Sequence, residues 1–223
     1  MTTHNLLLVD DHPITSDAYI NILSRLENAT IPKHFTTAFS CQEAYNKIRD
    51  RNHSQLTLDV AFLDISLPPY EDRNIQNGID LGILIRQYFP KCKIILLTMH
   101  SEPLLLHNAI ERINPEGFIL KNDINAQSLM TAYQEIVVGQ KFYSTTIHKV
   151  LRQDIIKKLD FDAIDCEILA LLSRGIRTKD MTEQLELSLS TIEKRKSNIK
   201  IQLLVDKGTD KDIIEEAKKI GIL

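Results

Sequence analysis

Residues 6–13 read Leu6-Leu7-Leu8-Val9-Asp10-Asp11-His12-Pro13, four apolar residues that stop abruptly at two adjacent carboxylates. A short apolar run bounded by polar residues is the signature of a strand buried on both faces, and the Pro behind it suits the first turn of a helix. The same grammar recurs along the chain. His34–Phe39, Leu58–Leu63, Lys93–Leu97 and Gly117–Leu120 are strand-like runs, each bounded by polar residues, Pro or Gly. Between them lie segments of helical length with 3.6-type spacing, as in Leu81, Leu84, Ile85 and Tyr88, then Leu105, Ala109, Ile110 and Ile113. Five strands alternating with helices predict a doubly wound α/β unit, a five-stranded parallel sheet covered on both faces. Ligands of such sheets sit at the carboxyl ends of the strands, near a topological switch point.

That edge carries the chemistry. Asp10 and Asp11 follow the first run, and Asp64 ends the run Val60-Ala61-Phe62-Leu63-Asp64. Three converging carboxylates repel one another unless a cation neutralises them, and carboxylate oxygens with water suit octahedral Mg²⁺. Thr98 ends Ile94-Ile95-Leu96-Leu97-Thr98, and Lys121 ends Gly117-Phe118-Ile119-Leu120-Lys121. A hydroxyl and an ammonium beside a carboxylate and a metal are what a transferred phosphoryl group needs. Singly, each feature has a plainer reading: an Asp pair favours a helix N-terminus, and a strand-end Lys or Thr is an ordinary solvated end. The ordered combination is what points to phosphoryl chemistry.

The pieces Leu-Val-Asp-Asp-His-Pro at 8–13, Phe-Leu-Asp-Ile-Ser-Leu-Pro at 62–68, Leu-Leu-Thr-Met-His at 96–100 and Gly-Phe-Ile-Leu-Lys-Asn-Asp at 117–123 stand in the order of a known family. By them, residues 5 to about 138 resemble the flavodoxin-like receiver domain of two-component response regulators. The resemblance implies that Asp64 is the phosphoacceptor. It also implies Mg²⁺ held by Asp10, Asp11 and Asp64 with the Ser66 backbone carbonyl, Thr98 and Lys121 on the phosphoryl group, and Phe118 with Thr98 as the switch pair. One stretch departs from the family pattern: residues 69–77, after Asp64, form a longer loop than is usual there, beside the expected site.

Beyond Gly139 the alternation stops. Residues 140–160 read as a connection, partly helical, and from Asp162 every pattern is helical. Ile164, Ile168, Leu171 and Leu172 make one stripe closed by Gly175, Thr178 is placed to cap a second short helix, Ser188 or Ser190 a third, and Thr209 or Asp210 begins a fourth. The expected division is therefore a receiver at 1–139, a linker at 140–160 and a small all-α domain at 161–223. Glu167–Gly175 and Ser190–Ile199 resemble the helix-turn-helix effector of the LuxR/NarL class, which implies a recognition helix in the major groove of double-stranded DNA. On a helical wheel Ile192, Ile199 and Leu203 form the apolar stripe with Lys196 close to it, opposite Ser190, Glu193, Lys194, Ser197 and Ile201. Base contacts are then expected from Glu193, Lys194 and Ser197, and phosphate contacts from Arg195, Lys196 and Lys200, with Lys179 and Thr191 completing the surface. Residues 159–223 nonetheless hold 11 Lys and Arg against 13 Asp and Glu, a net charge of −2 that is acidic for such a module.

The rest of the chain sets bounds. With 223 residues, 43% hydrophobic and 26% charged, it has an ordinary globular composition with room for a sizeable core. Cys41, Cys92 and Cys166 are odd in number and far apart, which gives neither a disulfide framework nor a zinc pair. The first residues lack a secretory signal and no apolar run approaches a membrane span, so a cytoplasmic protein without a membrane partner is expected. The net charge of −3 argues against non-specific coating of nucleic acid. The expected function is a transcription regulator, not an enzyme, phosphorylated on Asp64 by a sensor histidine kinase and forming a homodimer when phosphorylated. The alternative is a receiver whose helical output binds protein. A metal-dependent phosphatase is a third class, but Asp64 is followed by Ile65 and Ser66, without the second acidic residue that chemistry uses.

Overall fold

The computed structural model describes residues 3–25, 32–205 and 208–223; Met1 and Thr2, part of the start read for a leader, lie outside them. The chain divides into two compact units, Met1–Ile147 and His148–Leu223.

In the first unit, strands β1 (His4–Val9), β2 (Lys33–Ala38), β3 (Val60–Asp64), β4 (Lys93–Thr98) and β5 (Gly117–Leu120) alternate with helices α1 (Pro13–Ser24), α2 (Cys41–His53), α3 (Gly78–Tyr88), α4 (Pro103–Ile113) and α5 (Ala126–Val137). All strand pairs are parallel, in the order β2-β1-β3-β4-β5-β6. Central strands buried on both faces explain the unbroken apolar runs. Leu6, Leu8, Phe62, Ile95 and Ile119 pack on one side with Tyr19, Leu23, Leu129 and Ile136, while the alternating Leu7, Val9, Leu63, Leu96 and Phe118 are buried as well.

The sheet has six strands rather than five. Gly139, at φ +90°, ends α5, and the chain returns as β6 (Phe142–Tyr143), which pairs with Gly117 and Phe118 of β5. Two residues between polar neighbours give no readable strand pattern; the strand forms because β5 offers an open edge. Helix α6 (Thr145–Lys158) follows, its start pinned by Asp123, which accepts bonds from the Thr146 backbone N–H at 3.1 Å and hydroxyl at 3.0 Å. The stretch 140–160, expected as a connection, thus consists mainly of β6 and α6, and the division into units falls inside α6.

In the second unit, α7 (Ala163–Ser173), α8 (Met181–Leu185), α9 (Leu189–Gln202) and α10 (Asp210–Lys219) surround a core of Ile168, Leu172, Met181, Ile192, Ile199 and Ile213. Caps fix most of the starts: the Asp162 side chain accepts from Asp165 N at 2.9 Å, Ser188 from Thr191 N at 3.2 Å, and Thr209 forms a box with Asp212. Thr178 does not cap α8. A 3₁₀ turn, Thr178–Asp180, intervenes, and its hydroxyl is taken by Lys196.

Leu204 follows α9 at φ +59° and is 90% exposed. A branched side chain in the left-handed region is strained, and here it gains no packing in return. Leu204→Gly is expected to stabilise the chain by about 0.5–1 kcal/mol, read as a higher urea midpoint; unchanged stability would mean that the strain is not there.

Candidate functional site

The register places the site. Val9 pairs with Leu63, so Asp10 and Asp64 lie side by side one step further on, at the switch between β1 and β3. Thr98 pairs with Leu120, which brings Lys121 to the same edge. Asp10 is 1% and Asp64 3% exposed. Lys121 Nζ donates to Asp10 Oδ2 at 2.8 Å and to Asp64 Oδ2 at 2.6 Å, bridging two residues more than 50 positions away along the chain. The remaining oxygens are held by the backbone: Ser66 N–H donates to Asp64 Oδ1 and His12 N–H to Asp10 Oδ1, both at 3.0 Å.

Burial pushes the Asp64 carboxyl above its usual range, against the opposing pull of the Lys121 ammonium. Burial also disfavours the charged Lys121, but its bonds to Asp10 and Asp64 outweigh that and hold it protonated. The Tyr19 phenol behind the cluster is pushed up by burial and by the charges of Asp10 and Asp64. Asp11 is half-buried, and its Oδ1 lies 2.8 Å from His12 Nδ1. One ammonium against three carboxylates leaves two negative charges uncompensated at this edge, and the donors are hard oxygens. The residues present therefore fit a divalent cation.

Thr98 is fully buried, and its hydroxyl bonds within its own turn, accepting from His100 N–H at 2.9 Å. Phe118 is also buried, edge-to-face against Tyr143 with ring centres 6.2 Å apart. The sixth strand thus covers the aromatic expected to take part in switching.

The long loop is ordered and tied down. Tyr70 and Ile75 form a two-residue bridge around a 3₁₀ turn, Ile75 is buried, and the Tyr70 ring lies 5.7 Å from that of Tyr45 on α2. Gln76 N–H donates to Asp80, which also pairs with Arg112 of α4 at 2.9 Å. Asn77 caps α3, and Gly78 packs its Cα against the Asp64 backbone so closely that an added Cβ would sit 1.9 Å from the Asp64 carbonyl oxygen. Sequence reading missed Gly78, since close approach is a tertiary fact, and missed the meeting of His12 with Asp11.

On α9 the structure separates the expected nucleic-acid residues. Lys179, Glu193, Lys194 and Ser197 are exposed, and Thr191 and Lys200 partly so. Two residues expected to face phosphates turn instead into their own unit. Lys196 is 6% exposed, and its amine donates to Thr178 Oγ1 at 2.7 Å and Asp210 Oδ2 at 2.9 Å. It stands one turn from both Ile192 and Ile199, so its stem belongs to the apolar stripe and only its tip reaches polar partners. Arg195 pairs with Asp162 at 2.9 Å and Asp165 at 2.8 Å, the two carboxylates of the α7 cap. Arg174 and Arg177, not singled out from the sequence, are exposed beside Lys179.

Lys196→Ala is expected to cost about 1.5–3 kcal/mol by removing charged hydrogen bonds and a buried stem, measured by chemical denaturation. A neutral effect would show that the pairing holds nothing together.

Comparison with known proteins agrees with this geometry. Residues 6–134 match the response regulator receiver domain. The oxygen regulatory protein NreC of Staphylococcus haemolyticus is 28% identical over 229 residues, covering 98% of each chain. Among solved structures, the RcsB response regulator of Salmonella typhimurium, described for its conformational dynamism for DNA interaction, has a TM-score of 0.57 at 24% identity and covers 98% of this chain and 100% of its own. RcsB of Salmonella enterica serovar Typhimurium bound to promoter P1flhDC with the phosphomimetic BeF₃⁻ gives 0.56 at 21% identity, covering 98% of this chain and 100% of its own. The likeness in fold therefore extends through the helical unit. With the paired Asp10 and Asp64, the bridging Lys121 and a match over more than half its length, this chain belongs to the response regulator receiver family.

Proposed function

We propose that the chain is a phosphorylation-controlled regulator that binds double-stranded DNA. The observation that carries the first half is the Lys121 bridge between two buried carboxylates at the switch point. Asp64 is the phosphoacceptor. One of its oxygens attacks the phosphorus of a phosphohistidine on a sensor kinase; the P–O bond forms as the P–N bond breaks, and the imidazole leaves with that electron pair, its other nitrogen carrying the proton. Asp10, Asp11, Asp64 and the Ser66 carbonyl would hold Mg²⁺, which would supply charge neutralisation for the phosphoryl oxygens. Lys121 then moves from ion pair to phosphoryl oxygen, and Thr98 exchanges its bond within its own turn for one to the phosphoryl group. Phe118, covered by Tyr143, follows Thr98 as the switch aromatic.

DNA binding is supported by the DNA-bound RcsB structures, which cover 97% and 98% of this chain in fold, and by the exposed Lys194, Glu193 and Ser197 on one side of α9. We assign base contacts to those three residues and phosphate contacts to Lys179, Lys200 and the start of α9 at Thr191. Arg195 and Lys196 are left to hold the unit together. A homodimer formed on phosphorylation would pair two such weakly basic surfaces on two half-sites.

Random-library DNA selection with the full chain, with and without acetyl phosphate and Mg²⁺ and with Asp64→Asn as control, tests this. A two-half-site motif that strengthens only when Asp64 accepts a phosphoryl group is the expected result. The second reading, a helical output that binds protein, is favoured by the net charge of −2 in residues 159–223 and by the internal pairing of Arg195 and Lys196. Confirmed phosphorylation with no motif in any condition would select it.

A further inference from the structure

His12 stands at the acidic edge with a side chain that neither the fold nor the phosphoryl chemistry described above uses. It occupies the N-cap position of α1 yet makes no cap bond, and its imidazole is 72% exposed. Its backbone is extended, at φ −105° and ψ 103°, as the following Pro13 requires. The bond from its own N–H to Asp10 Oδ1 curls the chain, so that the neighbouring side chains of 11 and 12 converge instead of diverging.

The result is a compact donor set. Asp10, Asp11 and His12 each offer one atom, and these atoms lie within 4.8 Å of one another. His12 Nδ1 is 2.8 Å from Asp11 Oδ1 and 3.5 Å from Asp10 Oδ1. Two cis ligands of an octahedral ion with bonds near 2.1 Å are about 3.0 Å apart, so both separations lie near an octahedral edge.

We propose that His12 Nδ1 is a ligand of the cation held at this edge, and that it makes the site prefer first-row divalent ions, from Mn²⁺ through Ni²⁺, over Mg²⁺. This rests on the reading that the pocket binds a divalent cation. The selectivity follows from ligand chemistry. Mg²⁺ takes oxygen donors and gains little from an imidazole, whereas first-row ions gain progressively along the series from Mn²⁺ to Ni²⁺.

Calorimetric titration of the full chain, stripped of metal, with Mg²⁺ and separately with Co²⁺ tests the proposal; the Co²⁺ absorption band reports the donor set directly. Outer-sphere partners alone command 10–100-fold in affinity, so loss of a ligand is expected to cost at least about tenfold. His12→Ala should therefore weaken Co²⁺ by at least about tenfold and shift its band, while Mg²⁺ changes less than about twofold. An equal loss for both ions would mean that His12 only orients Asp11, and overturns the proposal, as does no loss for either. Co²⁺ binding that survives Asp11→Asn would be adventitious binding at other histidines and overturns it too. Should the wild-type chain bind neither ion, the reading of the pocket as a cation site falls together with the proposal; should Mg²⁺ bind in an Asp11-dependent way with His12 silent, only the proposal falls.

Discussion

Lys121→Met should lower the stability of the receiver by about 3–5 kcal/mol in Mg²⁺-free buffer at neutral pH, because it leaves two buried carboxylates facing each other without their cation. The magnitude follows from burial: Asp10 and Asp64 are both under 5% exposed, and Lys121 is their shared charged donor at 2.8 and 2.6 Å. The methionine keeps the volume of the lysine stem, so the loss is electrostatic rather than a cavity. The pH dependence has a definite sign. Asp64 is already held above its ordinary range by burial, and removing the opposing Lys121 raises it further. An acid whose folded value lies above its unfolded value binds its proton more tightly in the native state. The variant is therefore most stable at low pH and loses stability as pH rises from the ordinary carboxylate range through the raised Asp64 value. Mg²⁺ should recover much of the loss, since an ion that binds only the folded state stabilises it by mass action. Urea titrations from pH 4 to 8, with and without Mg²⁺, check each part. A variant as stable as the wild type and indifferent to pH would show that the Lys121 bridge is not what compensates these charges. Phosphoryl uptake from acetyl phosphate should fall in the same variant, even with Mg²⁺ restored, because the cation that meets the phosphoryl oxygens is gone.

The residues in that prediction were legible because each ends a strand. A parallel sheet converts positions at the ends of separate apolar runs into neighbours, so Asp10, Asp64, Thr98 and Lys121 could be brought together without knowing any helix. What stayed hidden depended on partners remote in sequence. The apolar period placed Lys196 near the stripe but said nothing of Asp210 and Thr178, which accept from its amine. Arg195 looked like a phosphate contact because the Asp162 and Asp165 that engage it stand some 30 residues earlier. The long loop at 69–77 was visible as an irregular stretch, yet its anchors, Tyr45 and the Asp80–Arg112 pair, lie on helices whose mutual packing the chain order does not specify. Strand β6 escaped for the opposite reason, being only two residues long and set by the edge it joins.

Gly78→Ala carries the other large effect. An alanine Cβ at this position would lie 1.9 Å from the Asp64 carbonyl oxygen and 2.8 Å from its carbonyl carbon. No rotamer relieves a clash with backbone, so either α3 must move away from β3 or Asp64 must shift. Moving α3 would break the Gly78 N–H bond to the Ile65 carbonyl, at 3.0 Å, and disturb the Asn77 cap. The cost is expected at the upper end of overpacking, about 3 kcal/mol. Function should suffer more than stability, because a displacement of about 1 Å at a reacting group costs roughly 100-fold in rate. Gly82→Ala is the informative comparison. Its Cβ would also come close, 2.5 Å, but to the Cδ1 of Ile113, the end of a side chain that can rotate away. That variant should lose about 1 kcal/mol or less and take up phosphoryl at nearly the normal rate. Urea denaturation and acetyl phosphate labelling of both variants separate the cases: equal behaviour would mean that the approach of α3 to Asp64 does not position the acceptor, and a selective collapse at Gly78 would show that the first residue of α3 sets where the carboxylate stands.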